Sequence, residues 1–496
     1  MTATPRKAIV VGAGPVGCLS AISLAKMGWS VEVYEGRPDM RLPSSKAAAQ
    51  QRSINLAISA RGITALQAIE PGASGRFLRA AIPMRGRMIH DLAGKTNSQP
   101  YDRNGQCINS IDRALLNEDL LEEALSVPNI AVFFSHKVLS IDFDGRVINL
   151  HDAEEKTDKS VHFDLCIGAD GSYSIVRRQL MRVVRMNFAQ EYIPHEYLEL
   201  RMPSGPPKHD GEGPTFLLDP NHLHIWPRHS FMLIALPNQD KSFTCTLFAP
   251  TAEFNRLDSP DAIIDWFKTN FPDALPLIGE QALLRDFERN PRSPLISIKA
   301  MPYHYKDRVI LLGDAAHSMV PFYGQGLNCG LEDVRVLDQL LRSHQVDPNF
   351  RPSEDALDER LAKALQEYTE TRHEDLVTIC DLAMDNYTEM RHSVTTPAYI
   401  LRKALDDFLY SLTSQQMTPL YFTPEKQQDP FPTRWPSGWL PLYTMVTFRP
   451  DISYATVKRK AQRQNQIISY AAWLSAAVAV GTASAAAFTV WKRLRK

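Results

Sequence analysis

Three short apolar runs in this chain each stop at a glycine: Ala8-Ile9-Val10-Val11 before Gly12, Leu165-Cys166-Ile167 before Gly168, and Val309-Ile310-Leu311-Leu312 before Gly313. They are too short and too uniformly apolar for amphipathic helices. Such runs predict buried strands of a largely parallel sheet, with ligands beyond the strand ends. The first run continues into the apolar-periodic C-L-S-A-I-S-L-A-K-M-G and then S-V-E-V-Y-E, so residues 7 to 35 predict strand, tight turn, helix and strand. Residues 190 to 300 alternate apolar and polar positions in short runs such as L-H-I-W-P, F-M-L-I-A-L and S-F-T-C-T-L-F, the pattern of an antiparallel sheet suited to cover a cofactor. Residues 355 to 415 carry Leu, Ala, Glu and Arg at helical spacing. Residues 418 to 450 are broken by Pro419, Pro424, Pro430, Pro432, Pro436 and Pro441, which predicts an irregular connection after the helices.

The last apolar stretch has a different character. Ile467 to Val490 contains no charged residue and is long enough to cross a hydrocarbon core of about 30 Å. Lys458, Arg459, Lys460 and Arg463 precede it, and Lys492, Arg493, Arg495 and Lys496 follow, so both ends are expected to rest at anionic headgroups. No apolar leader precedes the first strand, so the stretch is expected to act as a tail anchor with the rest of the chain in the cytosol.

Composition narrows the classes. At 496 residues and 44% hydrophobic, the chain can bury the core of two or three associated domains. A net charge of −1 provides no field to gather nucleic acid, and no nucleic-acid partner is expected. Six scattered cysteines without a C-x-x-C pair or zinc-ligand spacing read as reduced thiols in a core, and no metal is expected.

The chemistry lies past the strand ends. Gly12-x-Gly14-x-x-Gly17 has the spacing of a dinucleotide turn: the glycines permit the turn, close approach of a pyrophosphate and tight packing of the next helix, whose N-terminus faces the phosphates. Glu35 ends the second strand, placed to accept from ribose hydroxyls. Gly324-x-Gly326-x-x-x-Gly330 lacks the same spacing, so one nucleotide is expected to be held firmly and a second to bind transiently. In V-I-L-L-G-D-A-A-H-S-M-V-P-F-Y-G-Q-G-L-N-C-G-L-E-D (Val309 to Asp333), Asp314 at a strand end can accept from ligand hydroxyls. The loop Pro321 to Gly326 opens onto a helix beginning near Leu327, whose free N–H groups would stabilise negative charge. Gly168-Ala-Asp170-Gly171 forms a further turn. His317 follows Asp314 at i+3 spacing.

Together with R-S-I-N-L-A (Arg52 to Ala57), P-M-R-G-R-M-I-H (Pro83 to His90), Y-I-P-H-E-Y (Tyr192 to Tyr197), L-H-I-W-P-R (Leu223 to Arg228), N-Y-T-E-M-R (Asn386 to Arg391) and P-L-Y-T-M-V-T-F (Pro441 to Phe448), these motifs span nearly the whole chain. It resembles the kynurenine 3-monooxygenase family of FAD-dependent aromatic hydroxylases, in a fungal-like form. The resemblance implies an α/β fold: a discontinuous Rossmann-like FAD-binding domain of the glutathione-reductase type (1–190 and 300–345), with 83–106 contributing to the substrate site. An antiparallel sheet domain (191–299), a helical domain (346–464) and a transmembrane tail (467–490) complete it. It implies hydroxylation of L-kynurenine with NADPH and O2 through a flavin hydroperoxide, with no catalytic side chain because the flavin carries the chemistry.

Carried over by position, the resemblance assigns the substrate carboxylate to Arg87, Tyr101, Asn386 and Tyr443, with the planar Arg fork as the main anchor. It assigns FAD to Gly12, Gly14, Val16, Gly17, Tyr34, Glu35, Gly36, Arg37, Ala57, Arg113, Val138, Asp170, Asp314, Leu327 and Asn328. It implies the mitochondrial outer membrane, with the catalytic part facing the cytosol. Two features depart from it: Tyr323 stands where Phe is expected, and the segment between Arg391 and Pro441 is longer than in animal relatives. A hydroxylase or epoxidase of an apolar substrate, and a non-catalytic nucleotide-binding membrane adaptor, are the alternatives the residues leave open.

Overall fold

The computed structural model describes residues 5–45, 55–207, 213–350, 356–413 and 436–495. Arg52 to Ile54 of one quoted motif, and Pro419, Pro424, Pro430 and Pro432 of the expected irregular connection, lie outside them.

The three glycine-terminated runs are strands of one six-stranded sheet. Lys7–Val11 lies between Ser30–Tyr34 and Leu165–Gly168, and Leu165–Gly168 pairs in turn with Val309–Leu311, all in parallel. Ala8, Ile9, Val10, Leu165, Cys166, Val309 and Ile310 are fully buried, as strands covered on both faces require. Because the three strands are parallel neighbours, their motif turns open side by side at one sheet edge.

A seven-stranded sheet forms the second layer, and here the structure corrects the sequence reading in two respects. The sheet recruits Gly86–His90 and Thr96–Pro100 from far earlier in the chain, and Gly86–His90 runs parallel to His222–Arg228, so the sheet is not purely antiparallel. Residues expected to be strand include Thr251–Phe254, Pro260–Asn270, Leu275–Ile278 and Glu280–Arg289, all helical. Ile263, Ile264, Phe267, Leu275, Ile278 and Leu283 join these helices to the far face of the sheet in a second core with Trp226, Leu233 and Phe243. Recruitment of Gly86–His90 places Arg87 in this sheet, facing the helical layer.

That layer contains Gly326–Ser343, Glu359–Arg391, Pro397–Thr413 and a short helix, Leu442–Phe448, within the stretch expected to be irregular. Asp358 caps Glu359–Arg391 by accepting from the N–H groups of Arg360 and Leu361. Tyr454–Leu494 is one continuous helix, longer than the apolar span predicted. Its first turns, with Tyr454, Ala455, Val457, Lys460 and Gln464 buried, pack on the body, and the remainder stands exposed. The helix is long and apolar enough to cross a membrane. Two of the basic residues expected at headgroups are occupied elsewhere: Lys458 pairs with Asp381 at 3.0 Å, and the buried Lys460 donates to the carbonyls of Pro436 and Gly438, both at 2.7 Å. Arg459, 3.8 Å from Glu374, and Arg463 lie on the exposed side.

Among the described residues Gln464 is the last buried one of this helix, and its side chain donates to the Leu440 carbonyl at 2.9 Å. Truncation after Gln464 should therefore move the protein from the membrane pellet to the supernatant on ultracentrifugation, with a thermal midpoint within a few degrees of the full chain. A truncated protein that still pellets would place the anchor elsewhere.

Candidate functional site

The first turn is shaped by two close approaches. Gly12 has φ +103°, and a Cβ there would stand 2.5 Å from the Ala169 carbonyl oxygen of the neighbouring turn; one on Gly17 would stand 1.9 Å from the Gly12 carbonyl oxygen. Space is open around Gly14, directly before the helix Pro15–Lys26, which has no capping side chain and no acid in its first turn. That N-terminus retains donors and a positive end for an anion. Val16 borders it and packs against the other motif, since a Cβ on Gly313 would lie 3.1 Å from Val16 Cγ2.

Glu35 is buried, and its oxygens accept from Ala13 N at 3.0 Å, Arg37 N at 3.0 Å and Arg37 Nε at 2.9 Å. Burial works to raise its pKa, but the Arg37 guanidinium and the two backbone donors bring it below the ordinary value. A ribose hydroxyl would thus meet an ionised acceptor, and the exposed Arg37 would share it. Tyr34 is buried against Phe133 with rings 5.0 Å apart, Gly36 is exposed beside Arg37, and Val138 is buried in the adjacent strand His136–Asp142. Asp170 serves a structural end: its carboxylate accepts from Ser174 Oγ, Ile175 N and Val176 N, capping Ile175–Leu180. Its side chain is spent on that cap, while the backbone of its turn forms a wall of the cradle.

The third turn is tied to the second by Arg177, which donates to the carbonyls of Ala315 at 2.8 Å and Ser172 at 2.6 Å. Asp314 lies in the helical turn Gly313–Ala315, just past its strand, and its side chain is accessible among crowded surroundings. Crowding raises its pKa, opposed by Arg113 and His317. Asn328 holds the loop together: its oxygen accepts from Ser59 N at 2.8 Å, and its amide donates to the carbonyls of Ala57 at 2.9 Å and Gly324 at 2.7 Å. The helix begins at Gly326, one residue before the expected start, and its first N–H groups, including those of Leu327 and Asn328, have no carbonyl of their own helix to bond.

His317, Cys329 and Asp333 approach within 4.8 Å of one another. The Arg372 guanidinium already supplies the cation there, 3.0 Å from Asp333 and 3.6 Å from Cys329 Sγ. Burial pushes the Cys329 thiol well up, so it stays protonated.

On the other side of the loop, the four residues assigned to the substrate meet. Arg87 is buried and lies 5.0 Å from the Tyr443 ring centroid and 5.8 Å from that of Tyr101; those two rings stack 4.8 Å apart. Asn386 brings its oxygen to 3.5 Å from Arg87 and donates to the Phe322 carbonyl at 2.7 Å. Tyr323 stacks on Tyr443 at 5.6 Å, so the extra hydroxyl of this position lies inside the aromatic group. Phe322 stacks on Tyr387 at 4.0 Å and meets Phe248 edge-on at 4.9 Å, giving an apolar wall. Arg87 Nε is buried without a hydrogen-bond partner among the described residues, and the buried Tyr101 hydroxyl interacts only with Tyr443 and Arg87, at geometry short of a regular hydrogen bond. Unsatisfied buried donors are costly unless a ligand uses them.

Sequence reasoning missed Glu389, which pairs with Arg87 at 3.0 Å and accepts from Tyr399 Oη at 3.0 Å. Its signal was available: Glu389 lies three residues after Asn386, on the same helix face. It also missed Glu199, on the long strand Asn187–Met202, whose carboxyl is lifted by burial to about 7 against the pull of Arg113.

A family model described as FAD binding domain matches residues 6–345. Over 98% of both chains, this sequence is 46% identical to a kynurenine 3-monooxygenase of Cryptococcus neoformans. It is 41% identical to those of Saccharomyces cerevisiae, over 93% of each chain, and Anopheles gambiae, over 96% of this chain and 89% of the other. Among solved structures, a tetrameric 2-methyl-3-hydroxypyridine-5-carboxylic acid oxygenase covers 80% of this chain and 95% of its own at TM-score 0.59 and 20% identity. HpxO of Klebsiella pneumoniae complexed with FAD covers 82% and 98% at TM-score 0.59 and 20% identity. At these identities the two structures speak for the fold.

The Glu199 carboxyl generates a pH dependence. Its folded pKa of about 7 exceeds the ordinary 4.5, so the stability it allows is full below pH 4.5 and is lost as pH rises through 7. In cofactor-free protein, Glu199→Gln should raise the thermal midpoint by a few degrees at pH 8, corresponding to about 1–2 kcal/mol, and by almost nothing at pH 4.5. Equal midpoints at pH 8 would show that the carboxylate is well solvated.

Proposed function

The chain belongs to the kynurenine 3-monooxygenase family, and we propose on that premise that it hydroxylates L-kynurenine at the ring carbon ortho to the aniline nitrogen, consuming NADPH and O2. The observation that carries the substrate assignment is the buried Arg87, whose Nε has no hydrogen-bond partner among the described residues, inside an aromatic cage where the Tyr101 hydroxyl faces Arg87 and Tyr443. A carboxylate would satisfy the Arg87 donor. An apolar substrate would leave that donor unpaired, which disfavours the lipid-hydroxylase alternative.

The cradle fits FAD. Gly12, Gly14, Gly17 and the N-terminus of Pro15–Lys26 would take the pyrophosphate, Glu35 and Arg37 the ribose, Asp314 with Arg113 nearby the ribityl chain, and the N–H groups of Leu327 and Asn328 the ring. Bound FAD supplies the oxygen-activating chemistry that protein side chains lack. This chain's residues position and exclude. Arg87 holds the substrate carboxylate with Tyr101, and Glu389 must give up part of its hold on the guanidinium as that carboxylate arrives. Asn386 and Tyr443 fix the orientation of Arg87 and Tyr101, and Phe248, Phe322 and Tyr387 keep water from the reacting ring. NADPH has no second glycine fingerprint and docks transiently.

The apolar helix supports a membrane anchor, and the basic residues flanking it suit the mitochondrial outer membrane with the body in the cytosol.

The direct test is the flavin spectrum of purified protein titrated with NADPH: bleaching should accelerate when L-kynurenine is present. Asp314→Ala should yield largely cofactor-free protein, and full yellow occupancy in that variant would remove Asp314 from the FAD site. In Arg87→Met the buried substrate carboxylate loses its bidentate partner, at a cost of about 2–5 kcal/mol, or tens- to thousands-fold in affinity. The kynurenine KM should rise accordingly, with more hydrogen peroxide per NADPH consumed. Arg87→Lys should recover only part, since one ammonium does not reproduce the fork. Unchanged affinity and coupling in Arg87→Met would exclude Arg87 from the site while leaving the flavoprotein reading intact.

A further inference from the structure

The root of the long C-terminal helix reaches the loop assigned to the flavin. Tyr454, the first residue of Tyr454–Leu494, is fully buried, and its hydroxyl donates to Gln325 Oε1 at 3.2 Å. Gln325 is buried and immediately precedes Gly326, where the helix with the free N–H groups begins. Its carbonyl accepts from Cys329 N at 2.7 Å, so the orientation of the Gln325 peptide and that of the helix's first turn are one variable.

The Tyr454 ring is held on its other side. The Arg61 guanidinium lies 4.0 Å from its centroid and that of Arg372 5.9 Å, a cationic seat for an aromatic face. Arg61 also donates to the Ile452 carbonyl at 2.5 Å, and Asp375 accepts from Ala455 N at 2.8 Å. Backbone on both sides of Tyr454 is therefore held by charged groups. From Asn465 onward the same helix is almost wholly exposed.

We propose that Tyr454 is a positioning residue for the flavin loop, so that the element leaving toward the membrane also sets the geometry of the helix N-terminus that receives FAD. The proposal rests on the assignment of FAD to that N-terminus. It makes the root of the helix part of the cofactor site, distinct from the exposed remainder. A Tyr at this position that merely filled the core would be replaceable by Phe, which keeps the ring and its cationic neighbours and deletes only the bond to Gln325.

The test compares full-length wild type, Tyr454→Phe and Ser453→Ala in detergent micelles. Ser453 caps the same helix turn by accepting from Thr456 N, which makes it a control for loosening the helix root alone. Cofactor is removed and FAD affinity measured by quenching of flavin fluorescence, with hydrogen exchange followed at residues 324–329. Loss of one buried hydrogen bond should weaken FAD binding roughly three- to tenfold in Tyr454→Phe and speed exchange at Gly326 to Cys329, while Ser453→Ala lowers the thermal midpoint without either change. Gln325→Met should reproduce the loss, and the double variant should add little to it. FAD affinity equal to wild type in Tyr454→Phe, or the same loss in Ser453→Ala, would overturn the proposal. Failure of the wild type itself to bind FAD would remove the cofactor assignment and this proposal with it.

Discussion

A buried ionic cluster holds the site together. Arg61, Arg335 and Arg372 face Glu332, Asp333 and Asp375 in the interior, with Arg61 2.9 Å and Arg372 2.8 Å from Glu332, and Arg372 3.0 Å from Asp333. Burial would raise the Glu332 carboxyl, but the arginines bring it down to about 2, so Glu332 is ionised throughout the physiological range. Asp333 also accepts from Gly313 N at 3.1 Å and binds His317 Nε2 at 2.5 Å. The turn carrying Asp314 thus hangs from a carboxylate that is one of the partners of the buried Arg372. Removing one member of such a cluster typically costs about 3–5 kcal/mol.

The same cluster delivers the substrate side. Arg61 donates to the carbonyls of Val446 and Met445 at 2.6 and 3.4 Å, which fixes the short helix bearing Tyr443. Tyr443 then presents its ring to Arg87, and Glu389 neutralises that guanidinium, so a buried cation is balanced before any ligand arrives. The Coulombic partner is one a carboxylate ligand can displace, because the Glu389 side chain is about one-third exposed and can turn outward into solvent. A fully buried partner such as Glu332 would not exchange. Burial thus separates the permanent ion pairs from the exchangeable one.

The parallel sheet and the cradle were legible because strand periodicity and glycine spacing are local; Arg87, Asn386 and Tyr443 fall within quoted motifs, but their grouping with Tyr101, which lies in none, came from the family resemblance alone. What escaped was set by long-range contacts. Nothing near Gly86–His90 announces that it will pair with His222–Arg228, since parallel pairing leaves no turn signal between the partners. The helices between residues 251 and 289 interrupt alternating runs, and their caps, such as Ser259 accepting from Ala262 N, were overridden by the strand pattern around them. Asp170 was assigned to the cofactor through the family resemblance, and its side chain also accepts from Ser174 Oγ and from the first N–H groups of the next helix, a contact the turn sequence alone did not announce. Glu389 had the right spacing, but its role exists only because Arg87, three hundred residues earlier in the chain, folds opposite it.

The tail illustrates how a composition signal and a packing signal can overlap. Lys458 and Lys460 have the position of headgroup anchors and are instead spent on Asp381 and two carbonyls, so the polar boundary lies about one helical turn later than charge alone suggests. Between the last buried residue, Gln464, and the first apolar one, Ile467, there is room for only about 5 Å of helix. With the apolar segment in a bilayer, the body would sit against the membrane surface on a continuous helix and not on a loose tether. A helix of this kind resists bending because each turn's hydrogen bonds must break to kink it, and residues 454 to 480 contain neither Pro nor Gly to localise such a break. In that arrangement the angle at which the helix leaves the body would fix which face of the body meets the headgroups, and Asp375, Asp381 and Arg61 are the residues that grip its first turns.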